Sequence, residues 1–440
     1  MTRFAALTAA LALSLTASAH AEDAYLQKPN TLTPAEIAAG WRLLFDGSTT
    51  TGWRGYKQDA FPAKGWKVEN GELTVLAGGG GGDIITADQF ADFELSLEFK
   101  CAPKANSGII YRVSEAKDYP WMTGPEFQIL DDAGHPDGAH PKHTCGALYD
   151  LITPPDNKPA APADQWNHAR IMISDGVLRH WLNGVKVAEV RIDNDDWKTL
   201  IAGSKFKAWP GFGLEPRGHI ALQDHGDTVS FRNIKIRDLD APMPGEVRLF
   251  NGQDLSGWTA FVPDLGGATP EAAKVWEVRD GTLVCFGKPA GYIRTNDSFT
   301  SYVLKLQWRF DPAKGPGNSG VLLRLNGPDK VWPRSVEAQL HSGDAGDFWN
   351  IDEMRMTTDP ARTRGRNTRK LVMAERPLGE WNEYEIIVDG PTVTLYVNGE
   401  LCNQATDVEI TPGPIALQSE GAEIHFRDIR LAPIESSHGR

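Results

Sequence analysis

Cysteine, methionine and net positive charge are all in short supply in this 440-residue sequence. Its four cysteines, Cys101, Cys145, Cys285 and Cys402, fall two in each half. That is too sparse for a disulfide-dense scaffold, and none stands at CxxC or metal-ligand spacing. One bridge per half and four buried thiols both remain open. With 45 Lys and Arg against 58 Asp and Glu, the formal net charge is −13. Phosphate backbones are bound by clustered cations, so nucleic acid is excluded as a partner. The one cationic stretch, residues 362–370, is short and reads as a solvated loop. Beyond residue 21 there is no apolar run of the roughly 20 residues that a membrane span needs. Residues 1–21 themselves have the pattern of a signal peptide: Arg3, then apolar and small residues, then Ala19-His20-Ala21 as a cleavage site. Export across the inner membrane is expected, to the periplasm or the extracellular space. Glu22 in place of cysteine argues against a lipid anchor.

What is abundant is glycine, proline and tryptophan, at 44, 29 and 14 residues, a composition that suits sheets joined by many turns. The chain also repeats itself at domain length. Leu44-Phe45-Asp46-Gly47 recurs as Leu249-Phe250-Asn251-Gly252, and Gly52-Trp53 as Gly257-Trp258. Ser107-Gly108 to Arg112 recurs as Ser319-Gly320 to Arg324, and Ile220-Ala221-Leu222-Gln223 as Ile415-Ala416-Leu417-Gln418. The conserved order marks a duplication of whole domains, 40–240 and 246–434, with the linker at Pro242 and Pro244. Within each copy the dominant period is two. Phe93, Leu95, Leu97 and Phe99 alternate with polar residues, and Tyr302, Leu304, Leu306 and Trp308 do likewise. Asn70-Gly71, Asp175-Gly176, Asn183-Gly184 and Asn398-Gly399 read as hairpin turns. The class is therefore all-β, two tandem β-sandwiches. A single helix is expected at residues 34–40, capped by Thr33 with Pro34 first.

Several of these runs carry a resemblance. Leu44 to Gly47 with Gly52-Trp53, Asn106-Ser107-Gly108 to Arg112, Gly124-Pro125-Glu126-Phe127-Gln128-Ile129-Leu130-Asp131, Gly146 to Asp150, and Gly218-His219 to Gly226 with Phe231 to Ile234 together resemble the 3-keto-disaccharide hydrolase domain family. The second copy resembles it in a variant form ending in Leu417-Gln418-Ser419-Glu420-Gly421. The resemblance implies a concanavalin A-like jelly roll, related in shape to laminin-G domains and to some β-glucanases.

In a strand, Glu126 and Gln128 point to one face, and Asp131 to the other unless a bulge intervenes. The spacing resembles the E-x-D-x-x-E motif of jelly-roll β-glucanases. With Gln in the middle and Asp last, the motif departs from theirs, which counts against a glucanase-like double displacement. Arg112, Lys205, Tyr149, Asp150, His219, Gln223 and His225 are further site candidates. His135, His140 and His143 read as surface-loop residues. Trp121, Trp181 and Trp209 could stack on sugar rings or fill a core. The second copy keeps Glu337 and Gln339, places His341 where Leu130 stood, and has Glu420 in place of His225. A second catalytic site and a carbohydrate-binding module are both open for it.

The resemblance implies a glucosyl substrate oxidised at C3. The ketone acidifies the C2 hydrogen, so that a base can remove it, the C1 bond can break by elimination, and water can add back. Glu126, Asp131 and His225 are candidates for base, acid or metal ligand. Lys205, Arg112 and Gln128 are candidates for orienting the sugar or holding the enolate. A divalent cation chelated by the ketone and a neighbouring hydroxyl is a further candidate. The alternatives are a non-catalytic glycan-binding protein and a direct β-glucanase.

Overall fold

The computed structural model describes residues 28–435. The leader expected over residues 1–21 lies outside them. Among the described residues no helix is long and apolar enough to cross a membrane. The chain divides between Ala241 and Pro242 into two compact units, with the short segment Thr33–Ala39 grouped with the second.

The period-two segments form the strands they predict. In Phe93–Cys101, the side chains of Phe93, Leu95, Leu97 and Phe99 enter the core. The first unit pairs an eight-stranded antiparallel sheet with a five-stranded one. The smaller sheet runs in the order Trp53–Gly55, Ile84–Thr86, His219–Leu222, Asn106–Val113, Glu126–Leu130. Its inner side chains, among them Ile109, Tyr111, Phe127, Ile129, Ile220 and Leu222, pack with Phe93, Leu95, Leu97 and Phe99 in one core. The second unit is built on the same plan from two eight-stranded sheets. Both are jelly-roll β-sandwiches of the concanavalin A-like type.

The duplication is preserved down to single hydrogen bonds. Trp53 Nε1 donates to Leu44 O and Trp258 Nε1 to Leu249 O, each at 2.6 Å. Ser107 Oγ donates to Gln223 O at 2.9 Å and Ser319 Oγ to Gln418 O at 2.8 Å. At the hairpins, Asn183 and Asn398 take φ of 47° and 50°, each followed by a glycine at 82°. Two consecutive left-handed residues make the tight turn whose twist matches the flanking strands.

The expected helix spans Pro34–Ala38, with a complete capping box between Thr33 and Glu36. A second helix, Asp195–Ala202, was not anticipated. Asn194 caps it, Asp195 and Asp196 favour its first turn, and a 3-10 turn, Lys205–Ala208, follows. All four cysteines are free and buried.

Candidate functional site

Register across the five-stranded sheet places Ile85, Ala221, Ile110 and Glu126 side by side. Ile85, Ala221 and Ile110 form a small apolar cluster separate from the main core, with Trp121 packed against it. This rank therefore lies on the outer face of the sheet. One step along, Gly108 stands opposite Gln128, and the Gln223 N–H donates to Gly108 O at 3.0 Å. Asp83, two residues before Ile85, joins this second rank by alternation. Its Oδ1 accepts from the Asp224 N–H at 2.8 Å.

The Glu126 side chain lies across this second rank. A Cβ on Gly108 would collide with the Glu126 carboxyl group, so the glycine opens the space that the carboxyl occupies. Beside it, Gln128 Nε2 donates to Asn106 Oδ1 at 3.0 Å, while Gln128 Oε1 is buried without a hydrogen-bond partner.

The 3-10 turn after the unanticipated helix brings Lys205 to the same place. Its Nζ lies 4.3 Å from the Tyr149 ring centroid and 4.9 Å from that of Trp121. The backbone fixes this arrangement from two sides. Tyr149 N–H donates to Glu126 O at 3.1 Å, and Lys205 N–H donates to Asp150 Oδ2 at 2.8 Å. Asp150 is left-handed, with φ of 59°, and its other oxygen lies 3.4 Å from His143 Nε2. The His143 ring stacks on Tyr149 at 4.5 Å. Trp121 packs edge-on against Trp209 at 4.9 Å and stacks with Tyr119 at 5.9 Å. Half-buried aromatic rings thus flank a carboxyl and an ammonium.

Burial shapes the charges. Glu126 is 4% exposed, and loss of water pushes its pKa up to about 8; Lys205 works against that shift and Asp83 adds to it. The same loss of water lowers the pKa of Lys205, with Glu126 pulling it back up. Asp83 rises to about 6, again chiefly through burial, held back by the Asp224 N–H. Tyr149 is raised by burial and by the neighbouring Glu126 charge.

Glu126, Gln128, Gln223, Lys205, Tyr149 and Asp150 thus come together, with Asp150 as the clamp on Lys205. Other candidates do not. The pairing from Asn106–Leu130 to Ile110–Glu126 has no bulge, so Asp131 falls on the opposite side. Its carboxylate accepts the Lys104 N–H at 2.7 Å and serves a turn. Arg112 adopts φ of 52° and turns its buried guanidinium toward Asp92, 3.8 Å away. Its counterpart Arg324, with φ of 53°, donates to the backbone oxygens of Glu409, Thr300 and Gly390. Both arginines brace the fold at a left-handed kink. His219 Nδ1 lies 2.7 Å from Thr86 O, and its Nε2 3.0 Å from the Gln89 amide, so the ring ties a loop. His225 is exposed on the loop after Gln223. Trp181 is buried against Arg170 on the large sheet, not beside Glu126.

Asp83 and His143 complete the cluster without having been named for it. Asp83 joins only through cross-strand register, and His143 only through the fold of the 131–150 loop. Among the described residues, three metal-ligating side chains gather at Asp311, Glu423 and His425. These lie on or beside the other sheet of the second unit, where Arg279 also reaches Glu423.

In the second unit, Glu337 is 4% exposed with a pKa pushed up to about 8 by burial and by Glu420, against the pull of the Arg366 cation. Glu420 is raised as well, chiefly by burial. Gln339 Oε1 accepts the N–H groups of Leu340 and His341. His341 is an exposed residue paired with Asp344 at 2.9 Å.

The profile of the 3-keto-alpha-glucoside-1,2-lyase-like domain matches residues 40–237 and again 245–432. A 3-keto-disaccharide hydrolase of Bacteroides thetaiotaomicron is 37% identical over 233 residues, which are 46% of this chain and 80% of that protein. Two crystal structures of provisionally assigned glycosyl hydrolases from Parabacteroides distasonis are also similar. One is 34% identical, covering 48% of this chain and all of its own, with a TM-score of 0.45. The other is 29% identical over 45% of this chain and 99% of its own, with a TM-score of 0.36.

Proposed function

Since the chain belongs to the 3-keto-alpha-glucoside-1,2-lyase-like domain family, in two copies, we propose that its first unit hydrolyses 3-keto-glucosides and 3-keto-disaccharides by elimination and rehydration. The observation that carries the reading is the buried Glu126 carboxyl in the space above Gly108, beside Tyr149, over whose ring the Lys205 ammonium is held. Asp83 lies in the rank beside them.

The ketone at C3 makes the C2 hydrogen acidic. A carboxylate takes that proton, and the electrons move toward the C3 oxygen as an enolate. Lys205 supplies the positive charge that this oxygen gains from, in a site where lost water strengthens the attraction. The enolate then expels the C1 substituent, which must be protonated as it leaves. Water adds to C1 of the resulting alkene, and C2 recovers a proton. Bonds and protons balance as net hydrolysis.

Two carboxyls whose pKa values are pushed apart suit the two proton transfers. Asp83, near 6, is ionised at neutral pH and serves as the base. Glu126, near 8, is protonated there and serves as the acid. In the rehydration step each reverses its role. Gln128 and Gln223 offer amide groups to sugar hydroxyls, and Trp121 and Tyr149 offer faces to the ring. A glucanase-type displacement has less support, because Gln128 replaces the middle acid of that motif and Asp131, in the place of its last acid, is on the other side of the sheet.

The pH dependence of kcat/KM tests the assignment. Activity should rise as Asp83 ionises near pH 6 and fall as Glu126 ionises near pH 8. Asp83→Asn should lower the maximum and remove the acidic limb. An acidic limb that persists in Asp83→Asn would take the base role away from Asp83.

A further inference from the structure

The second unit repeats the polar floor of the first and again sets two carboxyls of raised pKa together, Glu337 and Glu420, but it has neither Asp83 nor Lys205. Register places Arg294, Ala416, Leu322 and Glu337 in one rank of its outer face. The next rank contains Tyr292, Gln418, Gly320 and Gln339. Where the first unit has Asp83, this rank has Tyr292, fully buried, whose hydroxyl donates to Asp329 at 2.6 Å. The segment that carries Lys205 has no counterpart. The link from Glu400–Ala405 to Ala416–Ser419 is short, and no helix interrupts it.

What is kept has a specific chemistry. A Cβ on Gly320 would collide with both the Gln418 amide oxygen and the Glu337 carboxyl, so these two groups converge on the space above the glycine. Gln418 is fully buried, yet neither its Oε1 nor its Nε2 has a hydrogen-bond partner. A buried amide with both functions unsatisfied is costly in a folded protein. Vicinal sugar hydroxyls, each both donor and acceptor, would satisfy it. Trp349 stands opposite Glu337 on the neighbouring strand and is half-buried on the same face, with the Arg366 guanidinium 6.0 Å from its ring centroid; the indole offers its other face to the C–H face of a sugar ring.

We infer that the second unit is a carbohydrate-holding site that takes a neutral glycosyl unit with no requirement for a 3-keto group and performs no elimination. The binding half of this inference stands on the second unit alone. The non-eliminating half rests on the roles proposed above for Asp83 and Lys205.

The full-length chain carrying Lys205→Met is titrated calorimetrically with unoxidised maltose, trehalose, sucrose and cellobiose. Saturable binding of at least one is expected. Adding Gln418→Met should weaken it at least tenfold without lowering the melting temperature, since a buried orphan amide is replaced by an apolar chain of similar length. Glu337→Gln serves as a second probe and should weaken the same sugar. No binding by any of the four sugars, or equal affinity with and without Gln418→Met, overturns the site. For the non-eliminating half, the Lys205→Met chain should leave a 3-keto-disaccharide intact. Residual cleavage that Glu337→Gln abolishes overturns that half. Because the first readout is binding of sugars without a ketone, failure of the proposed turnover in the first unit would leave it interpretable.

Discussion

At the scale of single residues, Glu126 combines a stability cost with a chemical use. A carboxyl in water loses its proton near 4.5, whereas in the folded protein Glu126 keeps it up to about 8. The folded state therefore binds more protons than the unfolded state across that window. The sign follows: stability falls as pH rises from about 4.5 to 8, then levels off. Glu126→Gln removes this dependence. Its melting temperature should exceed that of the wild type by a margin that widens between pH 5 and pH 8; a margin constant with pH would contradict the burial account. The same substitution should reduce turnover of a 3-keto-glucoside by a factor on the order of 10² to 10⁴, the usual contribution of a general acid or base. Asp131 provides the contrast. Its carboxylate holds the Lys104 N–H, so Asp131→Ala should cost about 1 kcal/mol of stability and leave kcat within a few-fold, measured by denaturant melts alongside steady-state kinetics.

At the scale of elements, the site is a property of a sheet face. The alternation in Glu126-Phe127-Gln128-Ile129 was legible in the sequence, and it correctly separates the polar pair from the two core residues. It also placed Asp131 on the far side, and the bulge that would have rescued Asp131 is absent. Asp83 was not legible. Nothing in residues 83–86 says that the strand lies three places from the glutamate strand; only the pairing through His219–Leu222 and Asn106–Val113 does. Lys205 was a candidate without a position, because a local helix, Asp195–Ala202, and the Asp150 clamp deliver it. Arg112 misled for the opposite reason: it sits in a shared motif, but the motif encodes a left-handed kink. Gly108 is the element's most sensitive point. Gly108→Ala should keep the sheet, since φ there is not left-handed, yet push the Glu126 carboxyl aside. Circular dichroism should be unchanged while kcat/KM falls at least tenfold; undiminished activity would show that the carboxyl does not use the space above residue 108.

At the scale of the whole molecule, duplication has kept the skeleton and released the outer face. The tryptophan-to-carbonyl bonds of Trp53 and Trp258 and the hairpin asparagines Asn183 and Asn398 recur nearly unchanged. Asp83 and Lys205 belong to the first copy alone, while the Glu-Gln-Gly-Gln floor belongs to both. The central claim is that chemistry in the first copy depends on a ketone at C3 of the substrate. Product analysis of a 3-keto-disaccharide and its unoxidised parent, each incubated with the full-length protein, tests it most directly. The account predicts cleavage of the 3-keto-disaccharide only, abolished by Lys205→Met; cleavage of both sugars at similar rates would contradict it.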